Sequence, residues 1–419
     1  MSPYFFYKKD LLFAEEVSLA EVAERYGTPC YVYSRSALEN HWHAFTSAFG
    51  KVRHRICYAV KANANLAILQ IFAKKKGGFD IVSGGELERV LAAKGEAKKI
   101  IFSGVGKQHA EIIRAMDVGI GCFNVESEAE LERLHTLAMQ RKKVVEIALR
   151  INPNIDARTH PYIATGLSDN KFGIDASEVV SLCKRIQATL PYCKLIGIAC
   201  HIGSQLTELS PFMEALDCML AIISMLKTAG ISLQHVDMGG GLGVCYQNET
   251  PPKITEYVSA LCSKLQNSGL EIIIEPGRAL VADAGVLLTR VEYVKSTPHK
   301  NFAIVDAGMN DLLRPALYDA WHSIKAVKIN QDISEKNYDI VGPVCESADC
   351  FGRNRSMALK EGDVLVIDSV GAYGACMSSN YNARPRAAEV MVYQDKIFLV
   401  RKRETVQSLF AEEDVSVIG

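Results

Sequence analysis

The chain has 419 residues, 48% hydrophobic and 23% charged, with a formal net charge of -1. That balance describes a globular protein with enough chain for a large core, most naturally in two domains. Near-neutral charge without a long basic run argues against a nucleic-acid or membrane-surface partner, and no uninterrupted apolar stretch approaches the roughly 18 residues of a membrane span.

Residues 1–9 lack the basic-then-apolar order of a signal peptide. The 12 cysteines are scattered and form no C-x-x-C pair, which argues against a structural zinc site. Cys57, Cys122, Cys200 and Cys218 sit in apolar segments and read as buried thiols. A reducing cytoplasm is therefore expected.

Residues 30–33 are strand-like. From residue 55 short β-like runs alternate with amphipathic helical stretches: 56–60, 79–82, 100–103, 122–125, 146–151, 195–202, 235–238 and 271–274. Residues 66–72 and 128–134 carry the helical period between them. Eight such units over roughly 230 residues match a closed (β/α)₈ TIM-like barrel, placed at 36–284. An open doubly wound sheet has the same periodicity. The Lys74-Lys75-Lys76 cluster reads as the solvated end of a helix. Beyond residue 285 the period becomes two, at 286–294, 302–305, 363–368, 388–393 and 396–400, the last two joined by Gln394-Asp395 as a hairpin link. Residues 1–35 and 285–419 are expected to form a β-sandwich or β-barrel-like domain.

Catalytic groups of such barrels collect at the C-terminal ends of the strands. The first run ends in Tyr58-Ala59-Val60-Lys61-Ala62-Asn63. A lysine there is either snorkelling or functional, its amine partly desolvated and ready to form an imine with an aldehyde. Ser83 and Glu86 after the second run read as a helix cap or as site residues. His201, in His201-Ile202-Gly203-Ser204-Gln205, is structural unless it faces the same opening as Lys61. The seventh run ends in Gly239-Gly240-Gly241. It is neither a dinucleotide fingerprint nor a P-loop, but glycine amides after the seventh and eighth strands suit a phosphate. Glu275, in Glu275-Pro276-Gly277-Arg278, either pairs with Arg278 or keeps a pyridine nitrogen protonated, which strengthens an electron sink.

This set, in order along nearly the whole chain, resembles the fold-type III, alanine-racemase-like pyridoxal-phosphate enzymes. It is most similar to the diaminopimelate decarboxylase family, supported by residues 164–174, Gly342-Pro343-Val344-Cys345-Glu346-Ser347-Ala348-Asp349 and Gly371-Ala372-Tyr373-Gly374. The resemblance implies pyridoxal 5'-phosphate on Lys61, with His201 stacked on its ring and Glu275 at its nitrogen. Ser204, Gly240, Gly241, Gly277, Arg278 and Tyr373 are implied around its phosphate. Arg278, Arg314, Tyr318, Glu346 and Tyr373 are implied for the substrate, and Cys345 as proton donor. It also implies a head-to-tail homodimer whose neighbouring subunit supplies Cys345 and Glu346.

Two arginines and Glu346 suit a substrate whose far end carries both a carboxylate and an amine, as meso-2,6-diaminopimelate does, with L-lysine and CO2 as products. That is the last step of lysine biosynthesis. Decarboxylation of ornithine, arginine, lysine or a carboxynorspermidine-like substrate is the alternative, and racemisation is disfavoured by the cysteine loop. A non-catalytic relative is disfavoured because lysine, histidine, glutamate and cysteine are all present. Asn170, Cys350 and Cys376 are minor departures from the family pattern.

Overall fold

The computed structural model describes residues 3–156, 163, 165 and 170–416. Of the 164–174 motif, Ala164 and residues 166–169 lie outside the described residues. Contacts divide the chain into two units, one of residues 39–245 and 249–280, the other of residues 1–38, 246–248 and 281–419.

In the first unit eight strands form a parallel ring: β1 His54–Ala59, β2 Gly78–Ile81, β3 Ile100–Phe102, β4 Cys122–Val125, β5 Val145–Asn152, β6 Cys193–Ala199, β7 His235–Asp237 and β8 Glu271–Ile274. Each pairs with the next, and β8 returns to β1 through Ile272↔His54, so the sheet is closed and the open doubly wound alternative is excluded. Strands β2, β3, β4 and β7 are buried at every residue, so apolar side chains occupy both of their faces and the polar Asp80, Asn124 and Asp237 are buried with them. Cys57, Ile101, Cys122, Ala148, Ile196 and Ile273 form one buried cluster contributed by six strands, which only the inside of a ring allows.

Short polar links cap the helices on the same rim where β1, β2 and β4 end. Asn65 caps Leu66–Lys74, Ser83 caps Gly84–Ala92 and Ser127 caps Glu128–Arg141, each side chain accepting from a first-turn amide. Lys74, Lys75 and Lys76 are exposed at the end of the first of these helices. Several strand expectations overran by one to three residues. Val60 belongs to the 3-10 turn Val60–Ala62, and β6 stops at Ala199, before His201.

In the second unit the strand Gly285–Ser296 is central. It pairs antiparallel with Cys30–Ser34, Asn301–Val305 and Val364–Ile367. Ala388–Tyr393 lies parallel to Cys30–Ser34 and turns through Gln394-Asp395 into Lys396–Arg401, with Gln394 at φ +56°. Leu19, Val22, Val32, Val286, Leu288 and Val390 share its core. The strands Lys336–Val341 and Cys350–Met357 escaped the sequence reading, as did the meander Phe5–Lys8, Leu11–Ala14 and Val17–Ser18. Lys336–Val341 and Cys350–Met357 pair with each other. Their composition is too polar to show an alternation, so backbone pairing rather than apolar period defines them.

Cys57, Cys122 and Cys200 are buried, as expected, while Cys218 is only half-buried and corrects that expectation. Among the described residues no helix is long and apolar enough to cross a membrane.

Candidate active site

Lys61 sits in the single 3-10 turn that follows β1, and its Nζ donates to Asp80 Oδ2 of β2 at 2.6 Å. The amine expected to be partly desolvated belongs to a side chain that is 35% exposed, and it is paired with a carboxylate that is fully buried. Glu275 follows β8. Its carboxyl oxygen Oε1 accepts from Asn124 Nδ2 at 3.4 Å, and Asn124 also donates to Ser103 Oγ at 3.2 Å. Arg278 instead donates to Ser204 Oγ at 3.0 Å. The glycine turn packs against the same residues. Gly240 N–H donates to His201 Nδ1 at 3.1 Å, Glu275 N–H donates to Gly239 O at 2.8 Å, and Gly239 N–H donates to Asp237 Oδ1 at 2.9 Å.

Close backbone approach accounts for the glycines. A Cβ on Gly240 would lie 2.3 Å from Glu275 O, and Gly239 and Gly241 hold φ of +65° and +111°. Gly277 packs where a Cβ would meet Ala62 Cβ at 3.0 Å, next to the turn that carries Lys61. Lys61, His201 and Glu275 line one cavity of about 170 Å³, together with Asn124, Arg150 and Phe172. The barrel thus brings Lys61, His201, Ser204, Gly240, Gly241, Glu275, Gly277 and Arg278 to one rim.

The electrostatics of this rim are dominated by acid. Burial, followed by the repulsion of Asp237 and Asp80, pushes the Glu275 carboxyl well above the ordinary carboxylate range. Burial likewise pushes the neighbouring Asp237 carboxyl up to about 6. Burial, and then the nearby charges of Arg150 and Lys61, hold His201 well below the usual imidazole range. A neutral His201 accepts at Nδ1 and keeps a flat apolar face. Burial also pushes Glu86 up to about 7, although its carboxylate accepts from Val82 N–H at 2.7 Å.

Pyridoxal phosphate fits these residues. Asp80 Oδ1 and Asp237 Oδ2 are buried oxygens without a hydrogen-bond donor, so the cluster favours a cation, and a protonated pyridine ring is one. The Gly239 amide is taken by Asp237 and the Gly240 amide by His201, so an anionic tail is suited by the Gly241 amide and by Gly240 on exchange of its partner. The buried carboxyl pair also makes a pH prediction for the cofactor-free protein. Raised folded-state values mean that the folded chain binds more protons than the unfolded one once pH exceeds about 4, where free carboxyls titrate. The pair's contribution is therefore fully present below that pH and is lost as pH rises through the raised values. Urea unfolding at a series of pH values is expected to show this decline, flattened in Asp237→Asn.

The remaining expected residues belong to the other unit. Arg314 opens the short helix Arg314–Tyr318 and is buried, whereas Tyr318 closes it half-buried. Cys345 and Glu346 are exposed neighbours. Cys345 N–H donates to Asn382 Oδ1 at 3.1 Å, and Glu346 accepts from Tyr381 Oη at 2.6 Å. Tyr373 is half-buried at φ +56°. The residues the sequence reading missed are Asp80, Asn124, Arg150 and Asp237. Each is a polar side chain inside an apolar run near a strand's C-terminal end, a signal available without coordinates. Arg150 is itself held by Glu126 at 2.7 Å.

Residues 35–282 match the model of the pyridoxal-dependent decarboxylase family, pyridoxal binding domain. A diaminopimelate decarboxylase of Vibrio cholerae is 56% identical over 414 residues, 98% of this chain and 99% of the relative. The crystal structure of the Helicobacter pylori diaminopimelate decarboxylase complexed with L-lysine superposes with a TM-score of 0.91 at 42% identity, covering 94% of this chain and 98% of that one. The M. jannaschii enzyme in co-complex with L-lysine gives a TM-score of 0.93 at 38% identity, covering 99% of this chain and 98% of that one. The chain belongs to the diaminopimelate decarboxylase family of pyridoxal-dependent decarboxylases.

Proposed function

We propose that the protein decarboxylates meso-2,6-diaminopimelate at its D-configured centre to give L-lysine and CO2, the last step of lysine biosynthesis. The observation that carries this reading is the convergence of the Lys61 amine, the buried Glu275 carboxyl and the Gly240 turn on one barrel rim. Relatives named for this activity, aligned over 98% of the chain, supply the substrate.

Pyridoxal phosphate, when bound, supplies an electron sink for the carbanion that remains after CO2 departs. The chain's own residues do the rest. Lys61 Nζ is the amine that would hold the cofactor's aldehyde carbon. Glu275 would favour a proton on the ring nitrogen, and neutral His201 would offer its apolar face to the ring. Amides of Gly240, Gly241 and Gly277, with Ser204, Arg278 and Tyr373, would hold the phosphate, the Gly240 N–H exchanging His201 Nδ1 for a phosphate oxygen. Arg314, Arg278, Tyr318, Tyr373 and Glu346 hold the substrate, its distal carboxylate on a guanidinium fork and its distal ammonium on Glu346. Cys345 Sγ then returns a proton to carbon.

Cys345 and Glu346 reach the site from the neighbouring copy of a homodimer. Their exposure in a single chain is consistent with that arrangement. Twelve free thiols suit a reducing cytoplasm.

CO2 release from meso-diaminopimelate, lysine, ornithine and arginine tests the reading. A site built around polar groups of its substrate rejects analogues that lack them, so kcat/KM for meso-diaminopimelate is expected to exceed the others by roughly 10²-fold or more. Comparable turnover of ornithine or arginine overturns it.

A further inference from the structure

We propose that His322, with Tyr246, determines substrate specificity as a positioning residue: it presents the Arg314 guanidinium to the distal carboxylate. This rests on the diaminopimelate reading above and deepens it.

The helix Arg314–Tyr318 ends after five residues because Asp319 adopts φ +50°. The chain then turns back, with Ala320 N–H reaching Arg314 O, and His322 arrives beside the guanidinium at which the helix began. Its Nε2 lies 2.9 Å from Arg314 Nη1 and its Nδ1 lies 2.8 Å from Asp368 O. A carbonyl oxygen only accepts, so the ring proton sits on Nδ1. A guanidinium only donates, so Nε2 offers a lone pair. The two partners therefore select one neutral tautomer.

The imidazole is locked in turn. Asp368 follows the strand Val364–Ile367, which pairs with Ile324–Ala326. Asp368 N–H donates to Ser323 O at 2.9 Å, and its carboxylate pairs with Lys325. His322 O accepts from Arg355 Nη2 at 3.1 Å. Tyr246 meets the imidazole edge-on, centroids 5.3 Å apart at 78°, and offers its own face to the Arg314 guanidinium at 4.4 Å. Arg314 and His322 are 6% and 0% exposed.

Holding a buried guanidinium with an imidazole lone pair and an aromatic face fixes its plane without cancelling its charge. A carboxylate in the place of His322 would fix the plane and neutralise it. A guanidinium fixed in plane suits a bidentate carboxylate, and the distal carboxylate separates diaminopimelate from simple diamines.

The test compares inhibition by L-lysine and by 1,5-diaminopentane, which differ by one carboxylate, in the holoenzyme and its H322N and H322Q variants. Asparagine places its amide nitrogen where Nδ1 was and no acceptor at the Nε2 position. Glutamine places its carbonyl oxygen near Nε2. H322N is expected to raise Ki for L-lysine and KM for meso-diaminopimelate about tenfold, leaving kcat and Ki for the diamine within about twofold. H322Q should recover most of that loss, with cofactor absorbance equal throughout.

Equal weakening of both inhibitors in H322N, or unchanged inhibition by L-lysine, overturns the proposal. If H322N does not fold, Tyr246→Leu carries the same comparison, with an expected loss of about two- to fivefold for L-lysine alone. Failure of the wild-type enzyme to release CO2 from meso-diaminopimelate overturns the underlying reading instead, so the two failures are distinguishable.

Discussion

Lys61→Ala is expected to abolish both the absorbance of covalently held pyridoxal phosphate and CO2 release. The loss in kcat should be roughly four orders of magnitude or more, the scale seen when the covalent group of an active site is removed. Two separate consequences of the substitution need to be kept apart. The amine that bonds to the aldehyde is lost, and Asp80, buried beside it at 2.6 Å, loses its cation. Lys61→Arg separates them, because a guanidinium keeps its charge for Asp80 but stays protonated and forms no imine. The expected result is near-normal thermal stability in Lys61→Arg with no turnover and no covalent absorbance. Retained turnover in either variant overturns the assignment.

Glu275→Gln is expected to lower kcat about 10²- to 10³-fold, the range for removing one preorganised electrostatic contact, with little change in KM. The amide is nearly isosteric and can still accept from Asn124, so the rim should keep its shape. What changes is charge: an amide does not favour a protonated pyridine nitrogen, and the unprotonated ring is the weaker electron sink. The same substitution should stabilise the cofactor-free protein at neutral pH, because it removes a buried carboxyl crowded by Asp237 and Asp80. A faster, less stable variant would contradict both halves of this argument. Steady-state kinetics on the loaded enzyme and urea unfolding of the cofactor-free chain measure them independently.

Much of the barrel was legible because its strands are largely buried on both faces and therefore read as mainly apolar runs. Their ends could be placed within a few residues, and those ends carry Lys61, His201, Gly240 and Glu275. The cap role of Ser83 was legible for the same local reason, a hydroxyl three residues before a glutamate amide. Polar strands such as Lys336–Val341 were not, since nothing in their alternation distinguishes them from loop.

The amino-acid sequence by itself determined the barrel repeat, the change to a period-two half and the residue types at the strand ends, because each depends on neighbours a few positions apart. Only the tertiary structure decided that the ring closes and that Asn124 reaches Glu275 across 151 residues. It also decided that Lys61 meets Asp80 and that His322 turns back onto Arg314. Those pairings depend on strand register and chain reversal, and electrostatic coupling follows distance in space rather than distance along the chain.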